Sequence, residues 1–559
     1  MPIEARNRAL PDWFTRIRTR QMVLPRFQRF EAWDYARVTQ IFNTILQDLP
    51  VGAGLVLEIG DEEPFISRTL KGAPESGERI TEHLLDGQQR LTALWRGLHN
   101  NYEDRTFFVI FKHDEESGLP YYIESLARWK QVDDKEFRPF WANKPKEQWS
   151  RRMIPLHFFA PDTNSPQAYK EWARQSIESS DEREEVADLV AEVRQKFTTF
   201  NLPFMSLPVS TPKQTALDVF IKMNTSASPL TTYDIVVAQV EAGMDTSLHD
   251  LVTETKKQCP NIASYYRVED LTLYASALLL EKSPTDATYM AKDFGSKLLE
   301  NWDIFLSGVK KTVSFLEEER VFDASRLPTD VVIPVLVALW GRSPNSLDAE
   351  GRARNELRKY LWRSFFTNRY EKSTNSRSLA DFIDLKAKIT GSVGNIPAVF
   401  NDVLHPLPQE QELIDSGWPV RKDRLARAIL ALALKHGGID LADGSAVTRE
   451  NLAKREYHHL FPFAHLSRLS VPDSLIYRSL NCALVTWSTN RNISDKEPEK
   501  YLAQRRDGTS LGESEIKARL ATHYIPYDEM VVGNYDAFLI KRAKLIHEAM
   551  TTLCDTGGT

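Results

Sequence analysis

The chain has 559 residues, with 71 Lys and Arg against 77 Asp and Glu and a formal net charge of −6. That mild balance excludes a global positive field as the route to nucleic acid, so any DNA contact has to come from local patches. Three scattered cysteines, Cys259, Cys482 and Cys554, exclude a disulfide framework and a Cys-type zinc ribbon and fit a reducing cytoplasm. The N-terminal stretch carries Glu4 and Asp12 and no apolar core, and the longest apolar run, 331–340, holds Pro334 and is too short for a bilayer. A soluble, cytoplasmic protein of two to four domains, with no membrane partner, is expected.

The segment 22–33 reads MVLPRFQRFEAW, after which Val38, Ile41, Phe42, Ile45, Leu46 and Leu49 recur at helical spacing. This predicts an amphipathic helix ended by Pro50 and Gly52, with LVLEI as the following strand. In EHLLDGQQRLTALWRGL an apolar entry, an Asp-Gly turn and a helical exit predict a strand, a tight loop and a helix start. Such a loop offers backbone N–H groups and a helix N-terminus to a phosphate, with Arg90 as a bidentate partner. Taken alone, an Asp-Gly turn beside a surface Arg is the more frequent origin of that pentapeptide. A charged, Trp-rich insert runs from about 100 to 205, in which FFVIFK reads as a strand and EEVADLVAEVRQKF as an amphipathic helix with a solvated acidic face. Its Tyr121, Tyr122, Trp129, Phe137, Phe140 and Trp141 are side chains that either pack a core or wall a pocket for a modified base.

Residues 241–400 are helical in pattern and are expected to form a coupling domain. Within them GRARNELRKYLWRSFFTNRY, 351–370, is the strongest local basic patch. Arg352, Lys359 and Arg363 share a helical face suited to a row of phosphates, while Glu356, four residues after Arg352, equally fits a salt ladder. HPLPQEQELIDSGWP reads as a linker. RLARAILALALKHGG reads as an apolar helix stopped by paired glycines, and YDAFLIKRAKLIHEAMTTL as a closing helix with Phe538, Leu539, Ile546 and Met550 on one side.

Between those two helices lies the chemistry. EYHHLFP puts His458 and His459 at the end of a short strand closed by Pro462. CALVTW is a second β-prone run flanked by Asn481 and Asn490, and SDKEPEKYL predicts a helix with Ser494 or Asp495 as cap and Pro498 in its first turn. Phosphodiester hydrolysis needs a water deprotonated near neutral pH and a divalent cation at the departing oxygen, which a neutral imidazole and a weakly held Mg²⁺ supply.

This order of strand, loop, strand and helix resembles the HNH (ββα-metal) endonuclease fold. The resemblance implies His459 as general base, His458 in the metal-ligand place often held by Asp, Asn490 as the residue completing the metal site, and Asn481 as a structural tie between the strands. It implies Mg²⁺ or Mn²⁺ as the cation, with Zn²⁺ or Ni²⁺ left open by the His at the Asp position. At the other end of the chain, the QR-x-x-x-W of Gln28, Arg29 and Trp33, the DGQQR motif, and a third block with Phe220, Asn224, Leu230 and Asp234 resemble the N-terminal domain of the GmrSD family of modification-dependent restriction enzymes. Ala227 stands where that family usually has Gly.

The GmrSD resemblance implies a ParB/sulfiredoxin-like α/β domain that binds and hydrolyses an NTP (GTP, ATP, CTP or UTP). Asp86, Gly87, Gln88, Gln89 and Arg90 would stand at the triphosphate, with Gln28 and Arg29 close by. The expected architecture is α+β multidomain: a ParB-like sensor domain over 1–240 with its insert, a helical coupling domain over 241–400, and an HNH domain over 401–559. The implied function is an NTP-regulated endonuclease or nickase of anti-phage defence, acting on modified or phage DNA, with a homo-oligomer left open. The alternative is a nucleotide-switched DNA sensor whose HNH domain is not catalytic.

Overall fold

The computed structural model describes the whole chain except residues 1–3, 29–30, 32, 113, 115–116, 129, 133–134, 138–143, 224–230, 244–245, 345, 420–422, 494–495, 509–511 and 558–559. It is a mixed α/β protein with a helical majority and small sheets, divided into two compact units, Met1–His249 and Asp250–Thr559.

The first unit is built on a six-stranded mixed sheet. Its strands are β1 (Glu4–Ala9), β2 (Met22–Pro25), β3 (Gly54–Glu58), β4 (Ser67–Arg68) and β5 (Glu82–Asp86), with Asn201–Leu207 as the sixth. In spatial order they run β1, Asn201–Leu207, β3, β5, β2, β4. The pairings β3 with Asn201–Leu207 and β2 with β5 are parallel, and the other three are antiparallel. Helices α1 (Leu10–Arg18), α2 (Tyr35–Leu46) and α3 (Gln88–Leu98) cover it. The expected periodicity of α2 is what the core uses: Val38, Ile41, Phe42, Ile45 and Leu46 are all buried, whereas Leu49 lies past the helix end and is exposed.

The segment read as an insert is integral to this unit. Strands Arg105–Ile110, Tyr122–Ala127 and Met153–Pro155 form a second sheet. Phe107, Tyr121, Ile154, Phe159, Trp172, Val190 and Phe197 share one apolar core with Trp13, Phe14, Phe42 and Trp95. Tyr121 is fully buried and its hydroxyl donates to Glu192 at 2.7 Å, so it is a packing residue. Trp129, Phe140 and Trp141, and the side chain of Phe137, lie outside the described residues.

The second unit is mostly helical. The apolar run 331–340 is the buried helix Val332–Gly341, packed against Trp302–Glu318 so closely that a Cβ on Gly308 would sit 2.0 Å from the carbonyl oxygen of Val337. Bare glycines are what permit that crossing. No helix among the described residues is long and apolar enough to cross a membrane. Helices Leu347–Phe366 and Tyr535–Thr556 and the strands Arg455–His459 and Cys482–Thr486 belong to the same unit. The stretch read as a linker carries a short helix, Glu410–Asp415, capped reciprocally by Gln409 and Glu412, and its Leu413 is fully buried.

Candidate active site

Arg455–His459 and Cys482–Thr486 pair antiparallel, with His458 opposite Ala483 and His459 opposite Cys482. Pro462 ends the first strand's run, and the connection carries the short helices Phe463–Arg468 and Asp473–Ile476. Asn481 closes this connection. Its Oδ1 accepts the Phe461 N–H at 2.8 Å, and its Nδ2 donates to the carbonyls of Phe461 and Ile476, both at 3.1 Å.

A helix, Trp487–Ile493, starts directly after the second strand. The helix expected over SDKEPEKYL is present as Pro498–Gly508, with Pro498 in its first turn and the cap candidates Ser494 and Asp495 outside the described residues, whereas Trp487, expected to continue the strand, instead opens this additional helix. The difference has a local cause. Buried Asp440 accepts the Thr486 N–H and the Thr489 hydroxyl, each at 2.6 Å, and Thr486 Oγ1 accepts the Thr489 N–H at 3.4 Å. Thr486 is thereby turned into a cap, and the next helical turn presents Asn490 to the strand.

The structure brings His458 and Asn490 together: His458 Nδ1 lies 2.5 Å from Asn490 Oδ1, and Asn490 Nδ2 donates to Glu456 Oε2 at 2.7 Å. His459 stacks on Trp418, with ring centroids 4.1 Å apart and planes at 24°, and meets Tyr477 edge-on at 5.0 Å. The Nε2 atoms of both histidines are buried without a hydrogen-bond partner. Burial lowers both imidazoles below the ordinary histidine value, His459 to about 4, so both are neutral near pH 7. The site therefore holds two neutral imidazoles, an amide and a carboxylate, which suits abstraction of a proton beside a cation. Among the described residues no three His, Cys, Asp or Glu side chains form a metal-holding group.

In the first unit Asp86 ends β5, and Gly87, at φ +97°, is the N-cap of α3. A Cβ there would meet the Cα of Gly54 at 3.4 Å in a left-handed conformation, so glycine is required. Arg90 turns inward as a clasp: it donates to the carbonyls of Val51 and Ala53 at 3.3 and 2.9 Å and to the Asp86 carboxylate at 3.0 Å. Gln88 is buried, and Gln89 Oε1 accepts the Trp33 N–H at 3.3 Å. Gln28 is buried too, its Nε2 bonding the Leu84 and Leu85 carbonyls at 2.6 and 2.9 Å. Arg29 lies outside the described residues.

Residues 10–241, spanning this sheet, its glycine-capped helix and the segments around them, match the family model described as the GmrSD restriction endonuclease, N-terminal domain. The first unit is a GmrSD N-terminal domain. The chain is also 24% identical, over 592 residues, to Uncharacterized protein MJ0686 of Methanocaldococcus jannaschii, a match covering 95% of this chain and 96% of that protein. The likeness to that relative runs through both units.

Within the GmrSD domain the third sequence block has structural duties. Phe220 packs on Phe27 at 5.1 Å, and Asp234 and Thr231 cap Thr232–Gly243 reciprocally, with Asp234 Oδ2 accepting from the Thr231 N–H at 2.9 Å and the Asp234 N–H donating to Thr231 Oγ1 at 3.2 Å. Asn224, Ala227 and Leu230 lie outside the described residues. Beyond the GmrSD domain, the basic patch resolves into ion pairs: Arg354 with Glu318, Arg358 with Glu319 at 2.7 Å, buried Arg363 with Asp402 and Asp555, and buried Arg369 with Asp381 at 2.8 Å. Glu356 pairs with Lys359 and Lys388 and not with Arg352, which is exposed. Of the residues at the candidate nuclease site, Glu456, Trp418 and Asp440 were not singled out from the sequence. Glu456, two residues before His458, carried a usable signal in its period-two spacing.

Proposed function

We propose that this chain is a DNA endonuclease of anti-phage restriction whose C-terminal site hydrolyses phosphodiester bonds by an HNH-type mechanism and whose GmrSD domain gates it with a nucleoside triphosphate. The observation that carries the reading is the strand pair and following helix that set neutral His458 against Asn490, with His459 beside them and both imidazole Nε2 atoms buried and unpartnered. The facing His458 Nδ1 and Asn490 Oδ1, with the Glu456 carboxylate bonded behind the amide, are a donor set that fits a divalent cation such as Mg²⁺ or Mn²⁺. When bound, the cation supplies charge stabilisation at the departing oxygen. His458 and Asn490 would hold it. His459, neutral because of its burial, takes the proton of the attacking water at Nε2. Asn481 keeps the connection shut around Phe461, so the two histidines stay in register.

The NTP reading rests on kinship with the GmrSD family and on the glycine-headed start of α3 after β5. A triphosphate at this turn competes with the Val51 and Ala53 carbonyls for Arg90, and loosening that clasp frees the 51–53 loop. For nucleotide or DNA to gate cutting, each has to bind the cutting-competent state more tightly than the resting one. The second reading, a nucleotide-switched DNA sensor without catalysis, is favoured by Trp418 lying over the His459 ring.

Incubation of the purified chain with unmodified plasmid and with modified phage DNA tests this, in Mg²⁺ or Mn²⁺, with and without each of ATP, GTP, CTP and UTP. Cation-dependent cutting that responds to the modification and to one nucleotide is expected. No cutting in any combination, with nucleotide still consumed, selects the sensor.

A further inference from the structure

The connection between the two strands of the candidate site carries apolar side chains that the fold leaves in solvent. Phe463 and Tyr477 are 38% and 44% exposed, and Leu469 and Leu475, between them in the chain, are exposed as well. Single exposed apolar residues are ordinary, whereas four on one connection beside a candidate general base mark an interaction site. The two rings meet at 5.8 Å, and Tyr477 stands across the Trp418–His459 stack, at 83° to Trp418 and 76° to His459. Neighbouring bonds hold this arrangement. Arg478 donates to the Asp415 carbonyl, and the Ser479 N–H donates to the Ser416 carbonyl at 3.0 Å, which ties the connection to the segment that carries Trp418.

We infer that Phe463, Tyr477 and Trp418 form a stacking shelf for an unpaired base next to His459, so that the DNA strand to be cut enters this site single-stranded. The inference rests on the nuclease reading. Inside a duplex both faces of a base are covered by its neighbours, and a protein ring reaches a base face only where the strand is unpaired or splayed. A phosphodiester brought to His459 carries its flanking bases onto these rings, because His459 itself touches Trp418 and Tyr477. The charge agrees with that ligand. Arg468, on the helix that Phe463 opens, is exposed, donates through Nε to the Ala464 carbonyl at 3.1 Å and makes no ion pair among the described residues, which leaves its charge for a phosphate. Plain packing of the rings, the competing account, acts on stability and sets no preference between single strand and duplex.

The test is fluorescence anisotropy of the full chain in EDTA with a labelled DNA oligonucleotide and with its duplex, with and without the four nucleoside triphosphates. Cutting of both DNA forms is followed in Mn²⁺ with the native chain and His459→Ala. The native chain is expected to bind the single strand more tightly than the duplex. Tyr477→Ala and Phe463→Ala each weaken single-strand binding by roughly 5–150-fold and leave duplex binding unmoved. Tyr477→Phe, which keeps the ring, binds as the native chain does. Tyr477→Leu, which keeps apolar bulk without a flat face and so spares folding, weakens single-strand binding as the alanine variant does. Native-like single-strand affinity in the alanine and leucine variants, beside duplex cutting that His459→Ala loses, overturns the shelf and leaves the nuclease reading standing. Ring-dependent single-strand binding with neither form cut keeps the shelf as a binding site and overturns the nuclease reading. Binding of neither form overturns both.

Discussion

Every polar atom of the Asn481 side chain is bonded to backbone, to the Phe461 N–H, the Phe461 carbonyl and the Ile476 carbonyl. None is left for a substrate, so the residue acts through the shape of the connection. Asn481→Ala strands two buried backbone groups, the Phe461 N–H and carbonyl, while the Ile476 carbonyl keeps the Arg478 N–H at 2.9 Å; at about 1–3 kcal/mol per unsatisfied group a loss of roughly 2–4 kcal/mol is expected. A urea titration followed by tryptophan fluorescence checks it, and an unshifted midpoint contradicts the assignment. The His458–Asn490 pair was legible in the sequence because both ends of the contact belong to one recognisable arrangement. Arg90 and Gln28 were equally visible as motif residues, yet their donors go to the carbonyls of Val51 and Ala53 and of Leu84 and Leu85, and no sequence pattern states which way a donor turns.

At the scale of elements, apolar spacing located the buried faces and missed boundaries set by distant partners. α2 followed its periodicity, and the run 331–340 formed one buried helix. The helix Trp487–Ile493 was not legible, because its start depends on Asp440, remote in sequence, capturing the Thr486 N–H and Thr489 hydroxyl. Trp487 is aromatic and β-prone, and the cap overrides that preference. The basic helix Leu347–Phe366 was legible as a helix, but not in its use. Acceptors for Arg354, Arg358 and Arg363 come from Glu318, Glu319, Asp402 and Asp555 on other segments, so a one-dimensional reading shows an excess of charge where the fold has pairs. Arg542 on the last helix is a similar case: buried, it donates to the carbonyls of Leu480, Cys482 and His523 and thereby holds the entry to the second strand.

Across the whole molecule, both units hold buried histidines kept neutral. Burial pushes His83 down to about 3, and His157, His459 and His523 to about 4, against an ordinary value near 6.5. Between those values and about 6.5 the unfolded chain binds more protons than the folded one, so stability is full above about 6.5 and is lost as pH falls toward 4. Thermal unfolding from pH 7.5 to 4.5 should show a midpoint that falls steadily below pH 6.5, and a flat profile contradicts the burial of these rings. The same burial keeps His459 unprotonated at neutral pH, the state a general base requires. The most direct test of the account is DNA cleavage by the native chain and by His459→Ala in Mg²⁺ or Mn²⁺, with DNA binding measured on the same preparations. The account predicts that the native chain cuts and that His459→Ala binds DNA equally well but cuts at least about 100-fold more slowly; a His459→Ala protein that cuts at the native rate would contradict it.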